Sequence, residues 1–244
     1  MRPPVFLVEP SDLDGDMITL RGQEGRHAST VRRLTVGERA DLTDGQGTVA
    51  ECMVAAARPG ELEFAVLARR TEPKPDPWVC VIQAIPRGER GELAVELLTE
   101  VGADVIVPWA AERCVAVWRA ERAAKSTERW RTAAAQAAKQ SRRAWLPEVT
   151  DQIHKAEAAA RIESAALAIL LDPGASESVA EVKLPASGEI VLIVGPEGGI
   201  TTAEEQAFRD AGAVGARIGP TVLRASSAGV VAAGVVLSRT ARWA

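Results

Sequence analysis

The sequence predicts an α/β fold, a mostly parallel sheet covered by helices on both faces, preceded by a small β-barrel domain. Three observations predict it. Prolines crowd into "TEPKPDPW" at 71–78, and Pro73, Pro75 and Pro77 cannot join a helix or a central strand, so the chain divides there. Upstream, apolar runs are short, alternate with polar residues and are broken by Gly and Asp, as in strands with one exposed face. Downstream, continuous apolar runs alternate with amphipathic stretches, as in strands buried on both faces and joined by helices. The expected boundaries are 1–72 for the barrel, 73–78 for the linker and 79–244 for the α/β domain.

Each element follows in order. "VFLVEP", "MITLRG", "ERADLTDGQGTVAECMVAAA" and "LEFAVLARR" supply the barrel strands, with a short helix around "GRHASTVRR". "TDGQGT" at 43–48 is a hairpin turn in which Gly45 and Gly47 are free to take positive φ. Past the linker, "WVCVIQAIP" at 78–86 is a β-rich run, and "GELAVELLTEVG" sets Leu93, Leu97, Leu98 and Val101 on one helical face. "ADVIVPW" is a strand, and "RCVAVW" is a candidate for another. A long helix runs from about 121 to 141. "ALAILLDP" at 166–173 and "EIVLIVGPEGG" are buried strands. "TTAEEQAFRDAG" is a helix with Thr202 and Glu205 spaced for a capping box. "GARIGP" is a last strand before the small-residue helix "SSAGVVAAGVVLSRTARW", with Ser226 or Ser227 as its N-cap.

Bulk properties narrow the function. At 244 residues, 47% hydrophobic and 25% charged, the chain can bury a real core. The net charge of −4 does not advertise a nucleic-acid binder, although a local basic patch can hide in it. No window is apolar enough to span a bilayer, and the N-terminus does not read as a signal peptide. Cys52, Cys80 and Cys114 form no CxxC pair and only two histidines are present, so no metal site is expected; free thiols fit a cytoplasmic protein.

In an open α/β sheet ligands bind beyond the C-terminal ends of the strands. Three loops fall there: "LLDPGAS" at 170–176, "VGPEGGI" at 194–200 and "IGPTVLRASSAG" at 218–229. Gly195, Gly198 and Gly199 let backbone approach a ligand, Pro196 fixes the turn, and Glu197 is either a hydroxyl acceptor or a solvated turn residue. A Gly-rich turn before a helix is a phosphate cradle or merely a tight connection. Neither GxGxxG nor GxxxxGK[ST] occurs, so nucleotide sites of those kinds lack their essential parts. A ligand with an adenine and a ribose but no phosphates fits better, and S-adenosylmethionine is one.

The stretches "LIVGPEGGIT", "IGPTVLRASSA", "RGERGELAVELLTEVGADVIVPWAAERC" and "AAKQSRRAWLPEV" together resemble the bacterial 16S rRNA (uracil-N3)-methyltransferase family of the SPOUT superfamily. "RHASTVRRLTVGERADLTDGQG" resembles that family's PUA-like RNA-binding domain, and the likeness covers most of the chain. It implies a C-terminal trefoil knot, a homodimer, S-adenosylmethionine as methyl donor and 16S rRNA or the small ribosomal subunit as partner. By the same likeness the donor pocket takes Leu171, Asp172 and Pro173 from the first loop and Ile193, Val194, Gly195, Pro196, Glu197, Gly198 and Gly199 from the second. The third supplies Ile218, Gly219, Leu223, Arg224, Ala225, Ser227 and Ala228. The chain departs from the family where Leu-Arg-Thr-Glu-Thr-Ala is common. It reads Leu223-Arg224-Ala225-Ser226-Ser227-Ala228, with Ser226 in the acidic position, and Leu97 stands where a basic residue is expected.

Uracil N3 must lose its proton before it attacks the methyl group, so the tasks are alignment and stabilisation of negative charge on the base. Arg224 is the candidate for that stabilisation and cannot itself be the base. Glu197, or water held by Ser226 or Ser227, is the candidate proton acceptor. For RNA, nine basic residues between 113 and 143 (Arg113, Arg119, Arg122, Lys125, Arg129, Arg131, Lys139, Arg142, Arg143) face two acidic ones, Glu121 and Glu128. Trp118, Trp130 and Trp145 lie in or beside that run, as base-stacking or, for at least two, core residues. Arg26, Arg32 and Arg33, with His27, form a second basic cluster, and Arg87 and Arg90 a third group. The alternatives are a SPOUT enzyme acting on another base and an RNA-binding module that has lost catalysis.

Overall fold

A computed structural model of the chain describes residues 3–116, 118 and 120–243, and of 120–122 the backbone alone. It separates into two compact units, Met1–Lys74 with Ala138–Leu146, and Pro75–Ala137 with Pro147–Ala244.

The first unit is a five-stranded sheet in the order β1-β3-β4-β5-β2, so β1 and β2 are its edges. The strands are β1 (Val5–Leu7), β2 (Met17–Leu20), β3 (Arg39–Thr43), β4 (Thr48–Arg58) and β5 (Glu61–Thr71), with a short helix α1 (Gly22–Arg26) widening into a looser turn over His27–Val31. Only β1 with β3 is parallel. Alternation puts Phe6, Ile18, Leu42, Leu62 and Phe64 into one core. The turn at 43–48 has its glycines at φ +70 for Gly45 and +102 for Gly47. A side chain on Gly47 would lie 2.7 Å from the Trp145 ring, which donates its indole N–H to the Glu72 carbonyl at 3.0 Å. Residues 138–146, remote in sequence, thus complete this unit.

The second unit carries a six-stranded, wholly parallel sheet in the order β11-β9-β10-β6-β7-β8. In chain order its elements are β6 (Trp78–Ala84), α2 (Arg90–Val101), β7 (Val105–Trp109), α3 (Ala120–Ser141, of which 120–137 belong to this unit), β8 (Glu148–Val149), α4 (Lys155–Ser164), β9 (Leu167–Leu171), β10 (Glu189–Val194), α5 (Thr202–Asp210), β11 (Val214–Ala216) and α6 (Ala225–Leu237). The period of two splits the apolar runs between two cores. Val79, Val81, Leu192 and Val194 meet Leu98 of α2 and Ala232, Val236 and Leu237 of α6. Cys80, Ile82, Val191 and Ile193 meet Ile162 of α4 and Phe208 of α5 on the other face. Gly229 explains the small residues of α6: a Cβ there would meet Val194, Leu98 and Val81 side chains at 3.1–3.4 Å.

Several local expectations change. Helix α2 buries Ala94, Val95, Leu98 and Thr99, while Leu93 is exposed and Leu97 half-buried, because the facing core lies one residue round the helix from the leucine stripe. The capping box of α5 is Thr201 with Glu204, not Thr202 with Glu205, since Thr201 is the last extended residue at ψ 155°. Helix α6 starts on Arg224, whose carbonyl receives the Ser227 and Ala228 N–H groups, so neither serine is the N-cap. The "RCVAVW" stretch is not a strand over its described residues; Val117 lies outside them.

Candidate active site

The three loops that follow β9, β10 and β11 converge on one cavity of about 460 Å³. Parallel neighbours β9, β10 and β11 end at the same level, so their loops meet by construction. Backbone hydrogen bonds fix the first and third loops to each other: Asp172 N–H to the Ala216 carbonyl at 3.1 Å, Arg217 N–H to Glu177 and Val179 N–H to Arg217, both 2.9 Å. In the second loop Gly199 N–H closes a turn on the Pro196 carbonyl at 2.9 Å, with Gly199 at φ +76.

The cavity brings together most of the residues expected there. Leu171, Asp172, Pro173, Val194, Gly195, Pro196, Glu197, Gly199, Ile218, Gly219, Leu223, Arg224, Ala225 and Ala228 all line it. Four expected residues do not. Ile193 is fully buried in the core beneath α5. Gly198 faces Arg113, whose carbonyl oxygen and Cβ would lie 3.0 and 3.1 Å from an added Cβ. Ser226 is buried within the first turn of α6, and the Ser227 hydroxyl donates to the Arg224 carbonyl at 3.2 Å. The wall also includes Leu170, Ile200, Glu205, Thr221 and Val222. Thr221 and Val222 sit between two segments already singled out, so loop contiguity alone could have found them; Glu205 needed the fold.

The glycines have unequal reasons. An added Cβ at Gly195 would fall 2.7 Å from Ile200 Cγ1, so packing within the loop also favours glycine there. At Gly219 nothing lies within 4 Å.

Four ionisable side chains face the cavity: Asp172, Glu197, Glu205 and Arg224. Asp172 Oδ1 accepts the Gly174 N–H at 2.8 Å, and Glu205 accepts from Arg209 Nε at 2.9 Å. Neither the Glu197 nor the Arg224 side chain makes a hydrogen bond or ion pair among the described residues, so both are available to a ligand. Behind the second loop, the wholly buried Glu204 accepts hydrogen bonds from Thr201 N–H at 2.9 Å, Thr201 Oγ1 at 3.0 Å and Glu112 N–H at 2.7 Å. It ties the turn carrying Arg113, whose guanidinium reaches the Gly198 carbonyl at 3.4 Å, to the start of α5.

No thiol is poised as a nucleophile. Burial raises Cys114 above its ordinary range and pushes Cys52 up to about 11; Cys80 is raised by the same cause. Among the described residues no group of His, Cys, Asp and Glu could hold a metal, and no helix is long and apolar enough to cross a membrane.

The basic run is less free than its charge count suggests. Lys139 is buried against Glu24 at 2.6 Å, Arg131 pairs with Asp151 at 3.1 Å and Arg129 with Glu92 at 3.5 Å. Arg119 and the Arg122 side chain lie outside the described residues. Trp130 is core, with Trp118 edge-on at 5.1 Å, and Trp145 packs on Gly47. Arg26, Arg32, Arg33 and Arg142 of the first unit are exposed, with Arg143 half-buried; Arg87, Arg90 and Arg113 of the second are exposed.

Known proteins resemble the whole chain. The RNA methyltransferase domain model matches residues 72–237, and the RNA methyltransferase PUA domain model matches 20–67. Ribosomal RNA small subunit methyltransferase E of Mycobacterium bovis is 43% identical over 98% of this chain and 93% of its own length. The protein of that name from Bacillus subtilis is 26% identical over 91% and 90%. Among solved structures, ribosomal RNA small subunit methyltransferase E of Neisseria gonorrhoeae bound to S-adenosyl methionine superposes with a TM-score of 0.86, at 28% identity over 97% of this chain and 98% of that one.

Proposed function

Because this chain belongs to the ribosomal RNA small subunit methyltransferase E family, we propose that its cavity holds S-adenosylmethionine and delivers the methyl group to N3 of a uridine in 16S rRNA. The observation that carries the reading is the convergence of three strand-end loops on one cavity with an unpartnered guanidinium, Arg224, in its wall. Adenine and ribose need backbone amides, carbonyls and a hydroxyl acceptor, and the turns at 172–174, 194–200 and 218–223 offer these without a phosphate cradle.

The chemistry follows from the side chains. Glu197 takes the N3 proton, being the cavity carboxylate without an internal partner. The N3 electron pair forms the new C–N bond while the C–S pair returns to sulfur, giving the neutral thioether product. Arg224 lowers the energy of the anionic base before and during attack. Ser226 stands in the family's acidic position; it is buried in the first turn of α6 and does not line the cavity, so the proton acceptor is assigned to Glu197.

We assign RNA gripping to the arginines of both units: Arg26, Arg32, Arg33, Arg142 and Arg143 in the first, Arg87, Arg90 and Arg113 in the second. A knotted threading of the loops after β9, β10 and β11 and a homodimer belong to the same reading. Leu93 of α2, Val231 of α6 and Trp243, each exposed, are the apolar groups a second copy would cover.

The test incubates the purified protein with methyl-labelled S-adenosylmethionine and small ribosomal subunits lacking this methylation. Label on N3 of one uridine is expected. Label on another base would point to a different target, and donor binding without transfer to a binding module; either result would overturn the proposal.

A further inference from the structure

Arg209 lies outside the cavity wall, yet it contacts two of the wall's carboxylates. Its Nε and Nη2 both stand 2.9 Å from Glu205 Oε1, and Nη2 stands 3.6 Å from Asp172 Oδ2. The two acids come from different elements, Glu205 from α5 and Asp172 from the loop after β9. The guanidinium also lies against a third element: a Cβ on Gly215 of β11 would lie 2.9 Å from Nη2 and 3.2 Å from Nη1. Three separate parts of the fold therefore meet at one guanidinium, whose side chain is 41% exposed to solvent.

The wall itself carries three carboxylates, Asp172, Glu197 and Glu205, against one guanidinium, Arg224, for a formal charge of −2. Donor and product of the proposed reaction differ at sulfur by one methyl group and one positive charge. A net negative wall favours the sulfonium over the thioether, and a cation bridging two of its acids weakens that preference. We propose that Arg209 is a positioning residue that holds Asp172 and Glu205 together and sets how strongly the cavity prefers the sulfonium donor to its neutral product, a role that rests on the S-adenosylmethionine reading of the cavity. It holds the two acids in place and damps their charge.

The experiment measures affinities of the full-length protein for S-adenosylmethionine, S-adenosylhomocysteine and a non-reactive analogue with an amine cation at the sulfur position, by calorimetry at low and high salt. Arg209→Gln is expected to raise the donor-over-product affinity ratio about two- to fivefold at low salt, with the amine analogue following the donor and the gain shrinking as salt is added. Arg209→Lys, which keeps the charge, is expected to restore the wild-type ratio. An unchanged ratio in Arg209→Gln, or loss of all three affinities by one common factor, overturns the proposal and leaves the cavity assignment standing. Failure of the wild-type protein to bind any of the three overturns the cavity assignment itself, and this inference with it.

Discussion

Replacing Glu204 tests the joint behind the cavity. Its carboxylate is fully buried and is the acceptor for two backbone N–H groups, those of Thr201 and Glu112, and for the Thr201 hydroxyl. In Glu204→Ala both N–H groups lose an acceptor at part-buried positions, at about 1–1.5 kcal/mol each, the lower part of the range for an unsatisfied donor. Loss of an acidic group from the first turn of α5 adds about 0.3–1 kcal/mol. The expected destabilisation is about 3 kcal/mol, a large share of the roughly 5–15 kcal/mol that holds a domain folded. Glu204→Gln keeps one acceptor but turns an NH2 toward donors, and about 2 kcal/mol is expected. Urea unfolding followed by circular dichroism measures it, with the loss appearing as a lower midpoint at unchanged slope. A loss below about 1 kcal/mol in Glu204→Ala would refute the reasoning, because it would mean that water or another group satisfies those donors.

Three further expectations concern chemistry, pH and RNA. Arg224→Ala should lower kcat by roughly a hundredfold or more while changing donor Kd little, since the guanidinium acts on charge that develops during transfer; equal loss in both would make it a pocket-shaping residue. Cys52 has a folded pKa raised above its unfolded value of 9.0 to about 11, so its contribution to stability is intact below pH 9 and lost as pH rises through 11. Cys52→Ala should flatten that alkaline limb in pH-dependent unfolding, and an unaltered limb would assign the loss elsewhere. Arg32→Ala with Arg33→Ala should weaken RNA binding and reduce the slope of log K against log salt by roughly 1.4 if each arginine meets a phosphate of a single strand; an unchanged slope in a filter-binding series would move the RNA face off this cluster.

Legibility in the sequence followed burial. The central strands β6, β9 and β10 stood out because both faces are covered and nearly every position is apolar, Gln83 and Glu189 being the exceptions. Strand β8, only Glu148–Val149, carries too little pattern to be seen, whereas "RCVAVW" has a strand's composition but does not form one. The α5 cap was misread by one residue because "TTAEE" offers the three-residue spacing twice, and only the backbone angle at Thr201 decides between them. The contact of Gly195 with Ile200, five residues on, is set by how the loop folds back and has no local sequence signal.

Sequence alone determined the alternation of elements, the break near the proline cluster, the three glycine- and proline-marked loops and the family likeness, because each is written in local composition and spacing. Tertiary structure decided which loop residues face the cavity, that Ser226 is withdrawn from it, that 138–146 completes the first unit, and that Arg209 on one element meets acids on two. Those outcomes depend on which strands lie side by side and where each ends. Distances between residues tens of positions apart are fixed by that arrangement, and no local pattern encodes them.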